Sequence, residues 1–301
     1  MPESRLLHDK RGMGLHRYCV LLAVLAFLMV LAGALVTSRD AGMAVPGWPS
    51  PSGGPSPTTE RLVLQQVHRT LGMLLGTLTL VLLVWVVRAG SPRWMRWLSL
   101  GAFLLVLFQG SLGGLAVLCG LPQSVSILHA SAAQLFFALA AALAAVTAPS
   151  WQGESLGLED MGFPPLRVFA SAVPLVVLAQ AALGAAYRHG ALGLMPHVLG
   201  ALVVAGLVLL VATIVLTQYG EHRAVVKPAK RLLIIALHQV VLGVLVYVAR
   251  IITDEAVRSS PLVVFATVAH VALGALTIGA SVILAVQVWR HLHSPAPETA
   301  R

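Results

Sequence analysis

The sequence predicts an all-α, polytopic membrane protein with eight transmembrane helices in two pseudo-symmetric four-helix bundles. Three observations carry that prediction. The 301 residues are 58% hydrophobic and only 10% charged, with a mean hydropathy of +0.88, whereas a soluble domain carries about 25% charged residues. Eight separate runs reach the ~20 mostly apolar residues that a spanning helix needs. These runs also carry two motifs in alternation, one on the odd spans and one on the even spans. The short alternating segments of a membrane β-barrel are absent.

Taken in order, the first span covers 18–37 behind Arg5, Lys10, Arg11 and Arg17. Its apolar run is longer than the about 7–15 residues of a signal-peptide core, so it is read as a retained helix although the small residues of "LAGALVTS" would permit cleavage. The basic flank before it is too short for a mitochondrial transit peptide. The second span, 61–87, opens with Gln65, Gln66, His68 and Arg69, polar side chains that are costly at membrane depth unless something there uses them. Spans at 95–117 and 125–147 complete a first half, 15–148. The polar, Gly- and Pro-containing junction "APSWQGESLGLEDMGFPP" leads to a second half, 164–292, with spans at 166–187, 194–217, 230–250 and 261–289.

The net charge of +9 is a topology signal and not a nucleic-acid footprint. The residues before span one, Arg88, Arg93 and Arg96 after span two, and Arg167 at span five all fall on one side if the spans alternate. So do Arg223, Lys227, Lys230 and Arg231 before span seven, and Arg290 and Arg301 at the end. By the positive-inside rule that side, with both termini, is cytoplasmic. Arg39, Arg61, Arg69, Arg188, Arg250 and Arg258 remain for the outer side. A multi-pass protein in the lipid of a prokaryotic plasma membrane is expected, with no nucleic-acid partner. Cys19 and Cys119 form neither CxxC nor CxxCH; they read as small apolar residues, not as a redox dithiol or a c-type haem attachment.

The odd spans share a glycine. "FQGSLGG", "AQAALGA" and "HQVVLGV" place Gln109, Gln180 and Gln239 four residues before Gly113, Gly184 and Gly243, and "MVLAGAL" has Met29 and Gly33 in the same places. Glycines there let neighbouring helices approach, and the glutamines are expected to hydrogen-bond across helices. The even spans share a histidine: "VHRTLGML", "LHASAAQL", "PHVLGAL" and "AHVALGAL" carry His68, His129, His197 and His270. Two fused bundles related by duplication follow.

Even spans run from outside to inside, so all four histidines belong to the outer leaflet, roughly 6–15 Å deep at about 1.5 Å per residue. Within each half they lie on the second and fourth helices, which face each other across an up-down bundle. Paired imidazoles across a bundle suit a haem iron with two axial ligands better than zinc, which wants three or four ligands close together. Haem propionates would then point to the outer edge, at the level of Arg39, Arg69, Arg188 and Arg250. Arginine suits carboxylates, although snorkelling explains such arginines equally well. His8, His16, His222, His291 and His293 read as solvated flanks. His189 in the outer "YRHGALG" loop could touch a propionate or nothing, and His238 reads as structural.

The segments "GALVTSRDAGMAVPGWP", "VHRTLG", "QGSLGGLAVL", "SILHASAAQLFF", "YRHGALGLMPHVLGALV" and "AHVALGAL" together resemble the haem A synthase family, over nearly the whole chain. The resemblance implies eight helices in two similar bundles and oxidation of a methyl group of haem O to the formyl group of haem A. Successive hydroxylation and loss of water would use oxygen and an electron donor. It implies that His68 and His129 flank the substrate haem O, that His197 and His270 ligate a haem b, and that all four are iron ligands. It also leaves room for docking of a haem O synthase and for a homo-oligomer. Two departures stand out. The family's ExxHR arrangement is "QQVHR" here, so Gln65 stands on the His68 face where a catalytic carboxylate is expected, and it cannot carry a proton as a carboxylate does. Glu60 is the nearest acid, and residues 38–60 lack the cysteine pair of some members. A di-haem b electron carrier without oxygenase chemistry is the alternative that Gln65 favours. A transporter is a third reading, opposed by the lack of a midplane acid and of a broken helix pair.

Overall fold

The computed structural model describes residues 2–45, 47–48, 58–252 and 260–294. Arg258 and Arg301 lie outside the described residues, as do the side chains of Arg5, Lys10, Arg11 and Arg250. Eight long helices dominate: α1 (Pro2–Ser38), α2 (Thr59–Arg88), α3 (Arg93–Leu118), α4 (Gln123–Thr147), α5 (Leu166–Arg188), α6 (Leu194–Gln218), α7 (Arg223–Ile252) and α8 (Pro261–His291). Each contains a stretch long and apolar enough to cross a membrane, that of α1 beginning at Gly12. The chain is an all-α, polytopic membrane protein.

The turns between helices follow local chemistry. Gly90 and Gly120 adopt φ of 66° and 72°, the left-handed conformation that ends a helix most cheaply in glycine. After α2 the Ser91 N–H returns to Val86 O at 3.3 Å, and after α3 the Leu121 N–H returns to Ala116 O at 2.7 Å. Pro92 and Pro122 then stand at the start of α3 and α4, where a missing N–H costs no helical bond. The expected boundaries are exceeded at α1, which begins at Pro2, sixteen residues before its expected start, and at α7, which begins at Arg223 and runs through Pro228, seven residues before the apolar run. A helix need not be apolar where it leaves the lipid, so the basic segment hid its first two turns.

Helices α1 to α4 pack in a ring, α1 on α2 and α4, and α3 on α2 and α4. Helices α5 to α8 pack likewise, α5 on α6 and α8, and α7 on α6 and α8. Between the halves α4 meets α8, while α1 meets α8 and α5 meets α4. Helix α4 sits centrally because it is alanine-rich: Ala132, Ala138, Ala140, Ala141 and Ala145 are buried, and small side chains let helices close on one another where lipid supplies no hydrophobic drive. Large apolar side chains face outward instead, Leu202 and Phe265 among them at 65% and 70% exposure, as lipid contact requires.

On the side assigned to the cytoplasm, the junction is tied down. Strand β1 (Leu158–Glu159) pairs in parallel with β2 (Leu292–His293) just beyond α8. Asp160 is 2% exposed, accepts from the Leu166 and Arg167 N–H groups at 2.8 and 3.0 Å, and so caps α5. The Tyr219 hydroxyl donates to Glu159 O at 3.1 Å. Of the five histidines expected to be solvated, His293 is exposed, His222 is half-buried, the side chain of His8 lies outside the described residues, and the protein engages the other two. His291 is buried and accepts from the Leu156 N–H at 3.3 Å, because the junction folds back over the end of α8. His16 is half-buried, its Nδ1 3.1 Å from Ala144 O, because α1 packs along α4 to its end. Cys19 is buried, but Cys119 is exposed at the turn after α3.

Candidate functional site

The four even-helix histidines stand between three and nine residues beyond the first residue of α2, α4, α6 and α8, at the end of the bundle away from strands β1 and β2. The bundle brings them together in two pairs. The His68 and His129 rings are 6.3 Å apart, centroid to centroid, with planes at 73°. The His197 and His270 rings are also 6.3 Å apart, with planes at 81°.

The motifs explain how these rings are held. A Cβ placed on Gly33, Gly113, Gly184 or Gly243 would stand 3.1, 3.2, 2.9 or 2.8 Å from Cε1 of His68, His129, His197 or His270 respectively. Each odd-helix glycine is thus the seat of the next helix's imidazole, a finer role than general helix approach. The residue four before it reaches the even helix in return. Met29 Cε lies 3.2 Å from a Cβ on Gly72, Gln239 Nε2 lies 3.3 Å from one on Gly274, and Gln180 lies against Gly200. Gln109 Nε2 donates to His129 O at 2.9 Å and Gln180 Nε2 to His197 O at 2.7 Å. The glutamines therefore make the interhelical bonds expected of them. His238, by contrast, turns its Nδ1 to its own helix at Ile234 O, 2.8 Å away.

The pairs fit a haem. A metal–imidazole bond is about 2.0 Å and the ring centre lies about 1.1 Å beyond the nitrogen, so two imidazoles on opposite faces of one iron have centroids about 6.2 Å apart. Nδ1 of His68, His129 and His270 is buried without a protein partner, and buried polar nitrogens are seldom left so; in the second pair His197 Nδ1 lies 2.9 Å from Gln180 Nε2 and His270 Nε2 3.4 Å from Gln239 Nε2. No group of three or more His, Cys, Asp or Glu that could hold a metal ion occurs among the described residues. A bare ion lacks ligands here, whereas a macrocycle that brings four nitrogens of its own needs only two.

The remaining candidates lie around the pairs. Gln65, 3% exposed, accepts from the Val45 N–H and donates to Gly42 O at 2.6 Å. Arg69 Nη2 donates to Val45 O and Gly47 O at 2.8 and 2.9 Å. Arg188 Nη2 donates to Ala34 O at 2.9 Å and Ser38 Oγ at 2.6 Å, tying the end of α5 to the end of α1. Both arginines thus have protein acceptors at the outer edge. Glu60 pairs with Arg39 at 3.4 Å on the exposed surface. His189, next to Arg188, is half-buried, and burial with the adjacent guanidinium lowers its pKa. What the sequence pattern did not reveal is the attachment of residues 41–45 and 47–48 to α2, since their acceptors and donor are backbone groups.

These features define an eight-helix membrane protein with two facing histidine pairs near one membrane surface. A profile of the family described as cytochrome oxidase assembly protein, COX15-CtaA, matches residues 58–294, and the chain belongs to that family. It is similar to a protein named heme A synthase from Symbiobacterium thermophilum, 33% identical over 171 residues, which are 54% of this chain and 55% of that protein. A heme A synthase from Geobacillus kaustophilus is 34% identical over 119 residues, 38% of each chain. The chain spans about half the length of the first of these relatives and less of the second.

Proposed function

We propose that this chain is a haem A synthase, an oxidoreductase that converts a methyl group of haem O into the formyl group of haem A. The observation that carries this reading is the recurrence of one geometry, two imidazoles 6.3 Å apart, in each half of a chain similar to heme A synthases. Such a pair is what two axial ligands of an iron require. His68 and His129 would flank the substrate haem O; His197 and His270 would hold a haem b. When bound, that haem b would supply a one-electron redox centre held by His197 and His270. Each hydroxylation of the methyl carbon takes one dioxygen, two electrons and two protons and releases one water. Loss of water from the doubly hydroxylated carbon leaves the formyl group. A membrane electron donor and dioxygen are therefore co-substrates, and a haem O synthase is a candidate neighbour.

The chain's own residues orient the reactants. The glycine seats fix the imidazole planes, and Gln109 and Gln180 hold the backbone carbonyls of His129 and His197. The two fused halves, 15–148 and 164–292, divide the work between substrate and relay. The charge asymmetry supports a reading in which this chemistry lies near the outer surface of a prokaryotic plasma membrane with both termini inside. The test is haem extraction and chromatography after co-expression with a haem O synthase in a host that lacks haem A. Haem A or its hydroxylated precursor, present only with this chain, is expected.

One observation favours a second reading. Gln65 cannot take up a proton, and its amide is engaged at both ends. A di-haem b electron carrier needs no such proton. Haem B alone in the same extract, lost on His68→Ala as well as on His197→Ala, would favour it.

A further inference from the structure

We propose that Gln65 is a positioning residue whose amide fastens residues 41–45, with 47 and 48 held beside them, as a cover across the His68–His129 site. This rests on reading that site as the substrate haem's.

The cover is attached on both sides of the histidine pair. On α2, Gln65 stands one helical turn before His68 and Arg69 immediately after it. Between them they bind Gly42 O, the Val45 N–H, Val45 O and Gly47 O. On α3, the Trp48 ring lies against Gly114, where a Cβ would stand 2.6 Å from the ring. Gly114 follows Gly113, the seat of His129. The apolar side chains Ala41, Ala44 and Val45 are buried at 0%, 8% and 3% exposure, and a Cβ on Gly42 would meet Leu121 at 3.1 Å. Residues 41–45 and 47–48 therefore lie beside the neighbours of both imidazoles, pinned by polar contacts to α2 and by an indole against α3.

This attachment dictates an amide at position 65. The side chain must accept from a backbone N–H and donate to a backbone C=O in a buried place. A carboxylate of the same length could accept from Val45 but would set a charged oxygen against Gly42 O with no proton between them. A buried acceptor without a donor is destabilising. Leucine would fill the volume and leave both backbone groups unpaired. Glutamine satisfies both without needing a titratable proton, which explains why this chain departs from ExxHR without losing the fold around His68. The amide acts on the reaction through the cover, which closes the site to water and limits how haem O enters it.

The test compares the full-length chain, loaded with haem b, with Gln65→Glu and Gln65→Leu, using Gly110→Ala as a control where a Cβ meets nothing within 4 Å. Amide hydrogen exchange resolved at Val45 is expected to speed up roughly ten-fold or more in both position-65 variants, with α6 and α8 unchanged. On acidification the new carboxyl of Gln65→Glu gains an O–H. Exchange at Val45, corrected for its intrinsic pH dependence, then slows towards the parent, while Gln65→Leu shows no recovery. Turnover of haem O is expected to show a raised KM with a smaller change in kcat. Unchanged exchange at Val45 in Gln65→Leu would overturn the proposal, as would a higher kcat in Gln65→Glu with the cover still closed. The exchange result decides the cover even if the parent makes no haem A, so it fails or stands separately from the oxygenase reading.

Discussion

The Cε1 of His270 lies 2.8 Å from the point where a Cβ on Gly243 would stand, and the Cε1 of His197 stands in the same relation to Gly184 at 2.9 Å. Real Cβ atoms do not come that close, so alanine at either glycine must displace an imidazole or push neighbouring helices apart. At Gly33 and Gly113 the separations are 3.1 and 3.2 Å, which a shift of a few tenths of an ångström relieves. A graded outcome is predicted. Gly243→Ala and Gly184→Ala lose most of the second-half haem signal, while Gly33→Ala and Gly113→Ala perturb the first half only mildly. Gly110→Ala has no such effect and gains up to about 0.5–1 kcal/mol from helix propensity. Haem stoichiometry and optical spectra of the five purified variants check the order.

The two pairs are predicted to be separable. His197→Ala or His270→Ala removes one low-spin, doubly imidazole-ligated haem while the chain still folds, because the other pair sits in its own ring of four helices. His68→Ala or His129→Ala spares that haem and abolishes oxidation of haem O. Low-temperature spectra and haem extraction on the same preparations read both effects. Loss of all haem in every variant would contradict two independent sites.

Much of this was legible in the sequence, and the gaps have physical reasons. Eight apolar runs and the charge asymmetry specify the helices, since lipid leaves the backbone few alternatives. The apolar runs ending at 87 and 117 fall within one residue of the helix ends at Arg88 and Leu118. The start of α7 at Arg223 was not visible, because beyond the lipid a helix loses its apolar signature. The histidine pairing could be read because one motif recurs on alternate helices. That each odd-helix glycine is a seat for an imidazole could not, since a small residue shows where space is and not what fills it. Gln65 illustrates the same limit: its partners are backbone atoms of residues 42 and 45, which leave no mark on a side-chain pattern.

The cap at Asp160 predicts a stability effect remote from the histidines. Its carboxylate takes the Leu166 and Arg167 N–H groups and lies 3.6 Å from Arg167 Nε. Asp160→Ala strands those donors and is predicted to cost about 1–3 kcal/mol, seen as a lower melting temperature. Asp160→Asn keeps one acceptor and costs less. Haem spectra should be unchanged in both, because the cap is on the opposite side from the histidines.

His189 predicts a pH effect at the outer surface. Its folded pKa lies below the ordinary histidine value, so the unfolded chain binds its proton more readily. The stability it contributes is fully present above about pH 6.5 and is lost as the pH falls from there through the folded pKa. Thermal stability is predicted to decline on acidification through that window, and to decline less in His189→Gln. Parallel pH profiles for the two proteins would contradict this.

Haem chromatography decides whether the His68–His129 pair addresses a haem O which this chain oxidises. A host that makes haem O but no haem A would express the parent chain and His68→Ala side by side. Haem A, or its hydroxylated precursor, is expected with the parent and only haem O and haem B with the variant. Haem O and haem B alone from a folded, haem-loaded parent would contradict this and leave an electron carrier as the function of the two histidine pairs.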